Sequence, residues 1–227
     1  MERAKVILHM MTALDGKIEG YFADAPLTGT CGEYYDEAIP SLGDAVGSGS
    51  YTAQLYMAGG SPDLAAFADS EVPDGDFIVK EPGDTYLFVF DRYGKCMWED
   101  PLSEGKRVVA VLTRKVSKNY LAYLRSRGIS YIFSGEGDLE PVHALEKIKT
   151  VFGADTLVLC GGATINGVFL KAGLVDGVSI VFCPYIEGNH DQKGIAETDV
   201  FVPAGFALKK ATPIADGKSI HLLFEKQ

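Results

Sequence analysis

Long hydrophobic runs are missing from this chain of 227 residues. No apolar stretch approaches the roughly 20 residues that a membrane-spanning helix needs, so no membrane partner is expected. Basic residues are outnumbered: 21 Lys and Arg stand against 31 Asp and Glu, a formal net charge of −10 with a pI near 4.9. A protein that grips phosphate backbones needs a basic face, so nucleic acid is not an expected partner either. Cysteine is sparse and dispersed, with Cys31, Cys96, Cys160 and Cys183 forming no close pair. That pattern argues for a reducing compartment and against a disulfide frame or a zinc site. Low-complexity tracts, internal repeats and a Pro/Ser-rich linker are absent as well. At 47% hydrophobic and 23% charged residues, the composition excludes disorder and coiled coil and fits one globular domain over residues 1–227. The amino-terminal Met-Glu-Arg-Ala-Lys runs straight into a strand-like segment, so no leader and a cytoplasmic location are expected.

Short apolar runs are what the chain has instead. They are Val6–Leu8, Tyr86–Phe90, Val108–Leu112, Tyr131–Phe133, Thr156–Cys160, Val178–Phe182 and Ile220–Phe224. They are rich in β-branched and aromatic residues and continuous rather than alternating, the pattern of strands covered on both faces. Helical segments fall between several of them. Ser117 is placed to cap a helix through Leu124 that stops at Gly128. Asp138 is placed to cap another, with Pro141 in its first turn and Leu139, Val142, Leu145, Ile148 and Phe152 on one stripe. A short helix starts near Thr164 and ends at Gly173, and a weaker one covers Gly32 to Leu42, interrupted at Pro40. Strand–helix alternation calls for a mainly parallel sheet. The last fifty or so residues read as strands alone, joined by a hairpin turn at Asp216-Gly217. The expected fold is therefore α/β, a three-layer arrangement around a mostly parallel mixed sheet with antiparallel C-terminal strands.

The most specific chemical signal is Leu157-Val158-Leu159-Cys160-Gly161-Gly162-Ala163-Thr164-Ile165-Asn166-Gly167. A buried strand ends, two glycines turn and a helix begins. Such a helix start offers unpaired N–H groups and a positive dipole end, together a seat for phosphate or pyrophosphate. The spacing is neither Gly-x-Gly-x-x-Gly nor a P-loop. Gly47-Ser48-Gly49-Ser50 is a second glycine cluster; by itself it reads as a flexible loop. Thr12-Ala13-Leu14-Asp15-Gly16-Lys17 is either a hairpin turn or a pair of polar side chains, Asp15 and Lys17, projecting into a cleft. His9 lies in a strand, where a lone histidine is usually a satisfied core residue. Asn189-His190-Asp191 has nothing nearby to complete a metal site. A Gly-x-Ser-x-Gly elbow and a Cys/His nucleophile pair are both lacking, so covalent hydrolysis is poorly supported. Arg92 and Arg114 each follow a strand-like run and are placed to emerge at strand ends.

Together these residues resemble the riboflavin-biosynthesis pyrimidine reductases, the C-terminal reductase domain of the bifunctional deaminase-reductase, with a dihydrofolate-reductase-like fold. The likeness runs from Ala13-Leu14-Asp15-Gly16-Lys17 through Gly47-Ser48-Gly49-Ser50, Phe90-Asp91-Arg92 and Leu112-Thr113-Arg114. It is strongest over Cys160 to Asp176 and on to Val181-Phe182-Cys183-Pro184-Tyr185-Ile186-Glu187-Gly188. The resemblance implies an NADPH-dependent oxidoreductase that delivers hydride to a phosphoribosylamino-pyrimidine, opening ribose to ribitol. It implies Gly161, Gly162, Ala163, Thr164 and Ile165 at the cofactor pyrophosphate, with Gly49, Ser50, Arg92, Thr113 and Arg114 also facing the cofactor. Asp15 takes the catalytic position beside nicotinamide and substrate, and His9, Lys17, Cys160 and Glu187 face the substrate. A homodimer and a small-molecule substrate are the implied partners, with no metal. Two positions depart from the family pattern: Cys160 stands where a glutamate is common, and His9 where a lysine is common. Two other readings fit the same residues. One is a related reductase of another heterocyclic or pterin-like compound; the other is a nucleotide-binding protein without turnover.

Overall fold

A computed structural model of the chain describes residues 2–68 and 70–227. The chain divides into two compact units. The first comprises Met1–Ala4 and Asp44–Asp155, the second Lys5–Gly43 and Thr156–Gln227.

The first unit is built on four parallel strands, β2 (Ala45–Gly49), β3 (Tyr86–Phe90), β5 (Lys106–Leu112) and β6 (Ser130–Phe133), with the two-residue β4 (Leu102–Ser103) antiparallel to β5. Their residues are almost all buried, as continuous apolar runs require. Helices α2 (Ser50–Tyr56), α3 (Lys118–Ser126) and α4 (Pro141–Thr150) follow β2, β5 and β6. The aromatic centre is a T-shaped cluster in which Phe152 meets Tyr86 and Phe88 at 5.0 and 5.1 Å. Ser117 caps α3 by accepting the Tyr120 N–H, as its sequence position indicates.

The second unit orders its strands β7 (Thr156–Leu159), β1 (Lys5–Ala13), β8 (Gly177–Cys183), β10 (Ser219–Lys226) and β9 (Phe206–Ile214). The first three run parallel; β10 and β9 complete the sheet antiparallel, turning through Ala215, Asp216 and Gly217, all at positive φ. Helix α1 (Thr28–Leu42) packs on β1 and β8, burying Cys31 against Ala13, Phe22, Val181 and Cys183. Helix α5 (Ala163–Lys171) follows β7. The mixed α/β architecture with antiparallel C-terminal strands is thus the one expected. Among the described residues no helix is long and apolar enough to cross a membrane.

Three local expectations are corrected. Gly47-Ser48-Gly49 is not a flexible loop: it is the body of β2, hydrogen-bonded to β3 and fully enclosed, because neighbouring strands satisfy its backbone. Asp138 caps nothing; α4 begins at Pro141, whose missing N–H suits a first turn, and Asp138 instead pairs with Arg92. Pro40 does not interrupt α1, which starts four residues before Gly32 and carries Pro40 in its last turn, where one lost hydrogen bond is least costly.

Candidate active site

Parallel strands present their carboxyl ends along one edge, and ligands of open α/β sheets bind beyond that edge. In the second unit this edge collects the exits of β7, β1 and β8. From β7 the chain passes through Cys160, Gly161 and Gly162 into α5. The Gly161–Gly162 peptide is cis, and Gly161 has φ +84°. A Cβ on Gly161 would stand 2.8 Å from the Met10 sulfur, so both conformation and space select glycine here. Gly162 is the N-cap of α5 and offers no side-chain cap, and the first N–H in α5 with a helical acceptor is that of Asn166. Ala163, Thr164 and Ile165 therefore open the helix with N–H groups aimed at the turn.

From β1 the chain turns at Asp15-Gly16, with Gly16 at φ +80°. The turn closes across itself as a tight hairpin turn does, Gly16 N–H donating to the Ala13 carbonyl at 2.9 Å and Ala13 N–H to the Lys17 carbonyl at 2.8 Å, although the strands that flank β1 are the parallel β7 and β8. The Asp15 carboxylate accepts the Gly188 N–H at 2.9 Å and the Glu187 N–H at 3.4 Å, which ties the β1 exit to the β8 exit. Those bonds, the one from Gly188 foremost, hold its pKa below the usual carboxylate range. Lys17 donates to the carbonyls of Gln192 (2.5 Å) and His190 (3.3 Å). Glu187 accepts the Phe22 N–H at 3.0 Å, and its carboxylate fills the space that a side chain on Gly20 would take. Asp15, Lys17 and Glu187 are thus brought together, chiefly as ties between loops.

His9 and Cys160 sit differently. His9 is fully buried, with Nδ1 on the Ser179 hydroxyl and Nε2 on the Tyr35 carbonyl, each at 2.9 Å, and its ring stacks on Tyr35 at 4.1 Å. Burial pushes its pKa down to about 4. Ser179 continues to His221 at 2.7 Å, a residue that lines a cavity of about 460 Å³ with Tyr34, Lys210 and Thr212. Cys160 is half-buried; its thiol reaches the Val158 carbonyl at 3.7 Å and lies beside the Tyr35 phenol. The ring partners of His9 lie in α1, β8 and β10, contacts that no single stretch of sequence reveals.

In the first unit the carboxyl edge carries Gly49 at the end of β2, Ser50 opening α2, Arg92 after β3, and Thr113 and Arg114 after β5. Thr113 is buried and donates to the Arg92 carbonyl at 2.9 Å. Neither arginine is idle. Arg92 pairs with Asp138 and lies over the Tyr93 ring at 4.7 Å. Arg114 pairs with Asp74, approaches Glu136 at 3.9 Å and covers the Phe133 ring at 4.4 Å. Arg114, Phe133, Glu136, His143 and Lys147 line a cavity of about 310 Å³.

The residues that sequence reasoning missed lie after β8. Glu197 donates its N–H to the Ala163 carbonyl at 3.0 Å, and its carboxylate accepts from the Thr164 hydroxyl at 2.8 Å and from Lys193 at 3.0 Å. Lys193 and Glu197 are four residues apart, the only hint in the sequence.

Solved structures share the fold that carries this edge. RibD of Acinetobacter baumannii superposes with a TM-score of 0.66 at 16% identity, covering 99% of this chain and 58% of that one. A pyrimidine reductase-like protein of Corynebacterium diphtheriae gives 0.69 at 13% identity, covering 100% and 92%. The riboflavin biosynthesis reductase Rib7 of Saccharomyces cerevisiae gives 0.63 at 15%, covering 99% and 90%. Residues 81–221 match the RibD C-terminal domain, and the chain belongs to that family of oxidoreductases. This chain spans 58% of the length of the Acinetobacter RibD chain. No curated protein sequence matches it.

Proposed function

We propose that the chain is an NADPH-dependent reductase of the riboflavin-pathway type, delivering hydride to the sugar carbon of a phosphoribosylamino-pyrimidine. The observation that carries this reading is the Gly161-Gly162 turn at the carboxyl end of β7, opening α5 with uncapped N–H groups. A diphosphate fits there: the backbone is bare of side chains, and the helix start favours negative charge. NADPH would supply the hydride, and the protein's own task is to hold donor and acceptor carbons in contact. Asp15 stays ionised and holds the β8 exit loop in place; it positions the site rather than delivering a proton. Purified protein mixed with NADPH and the pyrimidine substrate should oxidise the cofactor, with Gly161→Val abolishing cofactor binding. Absence of both binding and turnover in the folded wild type would remove the reading. Preference for NADPH over NADH is tested separately by Arg92→Ala and Arg114→Ala, each of which frees a carboxylate that the arginine now neutralises.

One observation favours a second substrate class. At Cys160 the site offers a half-buried thiol where the family commonly has a carboxylate, and a thiol is a feeble acceptor. A pterin-like or other heterocyclic substrate that needs no charged acceptor there fits this better. Cys160→Glu should then raise turnover of the pyrimidine; the companion change His9→Lys is ruled out as a test because it would bury an ammonium in an enclosed site. We further propose a homodimer, with edge strand β9 and its exposed Leu208 as the shared surface; a monomeric mass by light scattering would exclude it.

A further inference from the structure

The helix start proposed to receive the cofactor diphosphate already holds an anion of the chain's own. Glu197 places its carboxylate on the Thr164 hydroxyl at 2.8 Å, in the first turn of α5, and Lys193 donates to the same oxygen at 3.0 Å. The backbone beneath is anchored independently, by Glu197 N–H to the Ala163 carbonyl and by the Asn166 amide to the Ile195 carbonyl at 2.7 Å. Gly167 is what admits it: a Cβ there would stand 1.8 Å from the Glu197 carbonyl oxygen. A separate feature leaves a hydrogen-bond donor wanting beside the Gly161 turn, of the kind a cofactor hydroxyl or amide supplies and a phosphate does not. Asn166 is completely buried with its amide against the Gly161 turn, and its Oδ1 has no hydrogen-bond partner among the described residues.

We propose that Glu197 holds, in the cofactor-free chain, the place that one cofactor phosphate takes in the complex, and that Lys193 is a binding cation for that phosphate. The inference rests on the reading of α5 as the diphosphate seat. A carboxylate and a phosphate present the same chemistry to Thr164 and Lys193, anionic oxygens accepting from a hydroxyl and an ammonium, and a phosphate would reach the uncapped helix N–H groups as well. On binding, Thr164 and Lys193 exchange one acceptor for another, while Glu197 turns its already exposed side chain into water. The backbone anchors stay, so Lys193 remains over the helix start. Glu197 thereby sets the affinity of the site: every dinucleotide must displace it, and a ligand without a charged phosphate has no means to do so.

The test is calorimetric titration of wild type, Glu197→Gln, Lys193→Met and Thr164→Val with NADPH and with inorganic pyrophosphate. Glu197 and Lys193 are exposed, so their variants fold. Glu197→Gln keeps an acceptor for Thr164 and removes the charge; it should bind both ligands about fivefold more tightly, the size of an exposed charge–charge effect. Lys193→Met and Thr164→Val should each bind both more weakly by a similar factor. Unchanged or weaker binding by Glu197→Gln, with wild type binding NADPH, overturns this inference alone. Failure of both wild type and Glu197→Gln to bind NADPH overturns the reductase reading and this inference with it.

Discussion

Gly167 sits in the interior of α5, where alanine is ordinarily preferred by about 1 kcal/mol. Gly167→Ala should nevertheless destabilise the protein. The added Cβ would lie 1.8 Å from the Glu197 carbonyl oxygen and 2.7 Å from its carbon. Both are backbone atoms, so no side-chain rotation relieves the contact. Moving residues 195–197 away gives up the bonds from Glu197 N–H to Ala163, from Thr164 to Glu197 and from Asn166 to Ile195. At about 1 kcal/mol net for each bond the loss is about 3 kcal/mol. Subtracting the helix preference leaves a deficit of about 2 kcal/mol, or a melting temperature lower by roughly 4–8 °C for a chain of this size. Gly32→Ala in α1 is the matched control. It too is helical, but nothing lies within 4 Å of its Cβ position, so it should raise the melting temperature by roughly 2–4 °C. Thermal unfolding followed by circular dichroism compares the two. A Gly167→Ala protein that melts at or above wild type refutes the argument that the 195–197 segment is packed against α5.

Two further outcomes follow from the site. Gly161→Ala forces an L-residue to φ +84° against the Met10 sulfur, and should lower stability by roughly 1–2 kcal/mol and weaken NADPH binding in the same titration. His9 has a folded pKa of about 4 against an ordinary 6.5, so between those values the unfolded chain binds the extra proton and stability falls as pH falls. The slope is up to about 1.4 kcal/mol per pH unit for one proton, and His9→Gln should flatten it in urea unfolding run from pH 7 to pH 4; an unchanged slope would show that His9 titrates normally.

Much of the fold was legible because burial on both faces leaves a continuous apolar signature. Every apolar run named from the sequence lies in a strand, apart from Cys160, which follows β7. The Ser117 cap, the helix after Gly162 and the turn at Asp216-Gly217 were legible for local reasons, in hydroxyl and glycine placement. Strand β2 was not, because Ala-Val-Gly-Ser-Gly has the composition of a linker and only its pairing with β3 makes it a strand. The start of α1 was hidden by Gly29 and Gly32, which depress helix propensity where tertiary packing overrides it. At the site, the glycine turn was readable as a motif. The role of Glu197 was not: its partners Ala163 and Thr164 lie more than thirty positions away, and a loop carboxylate carries no mark of the helix it will meet. His9 was readable as a satisfied core residue, but the identity of its partners, Ser179 and Tyr35, was not.

The division of the chain has a consequence for how the molecule is made. The second unit is interrupted, and the interruption is the whole of residues 44–155, whose own ends meet where the Asp155 N–H donates to the Asp44 carboxylate at 2.9 Å. During synthesis, β1 leaves the ribosome ahead of residues 44–155, yet both of its neighbours, β7 and β8, lie after residue 155. The intervening unit has all its strands in hand before either neighbour exists. Strand β1 is therefore left without either neighbour until that unit has been made, and its pairing closes a loop that spans the whole unit, an entropic cost that grows only logarithmically with the length of chain between. A nascent chain stalled short of β7 would carry a finished first unit and an unpaired apolar strand, the state in which this protein is most open to wrong partners.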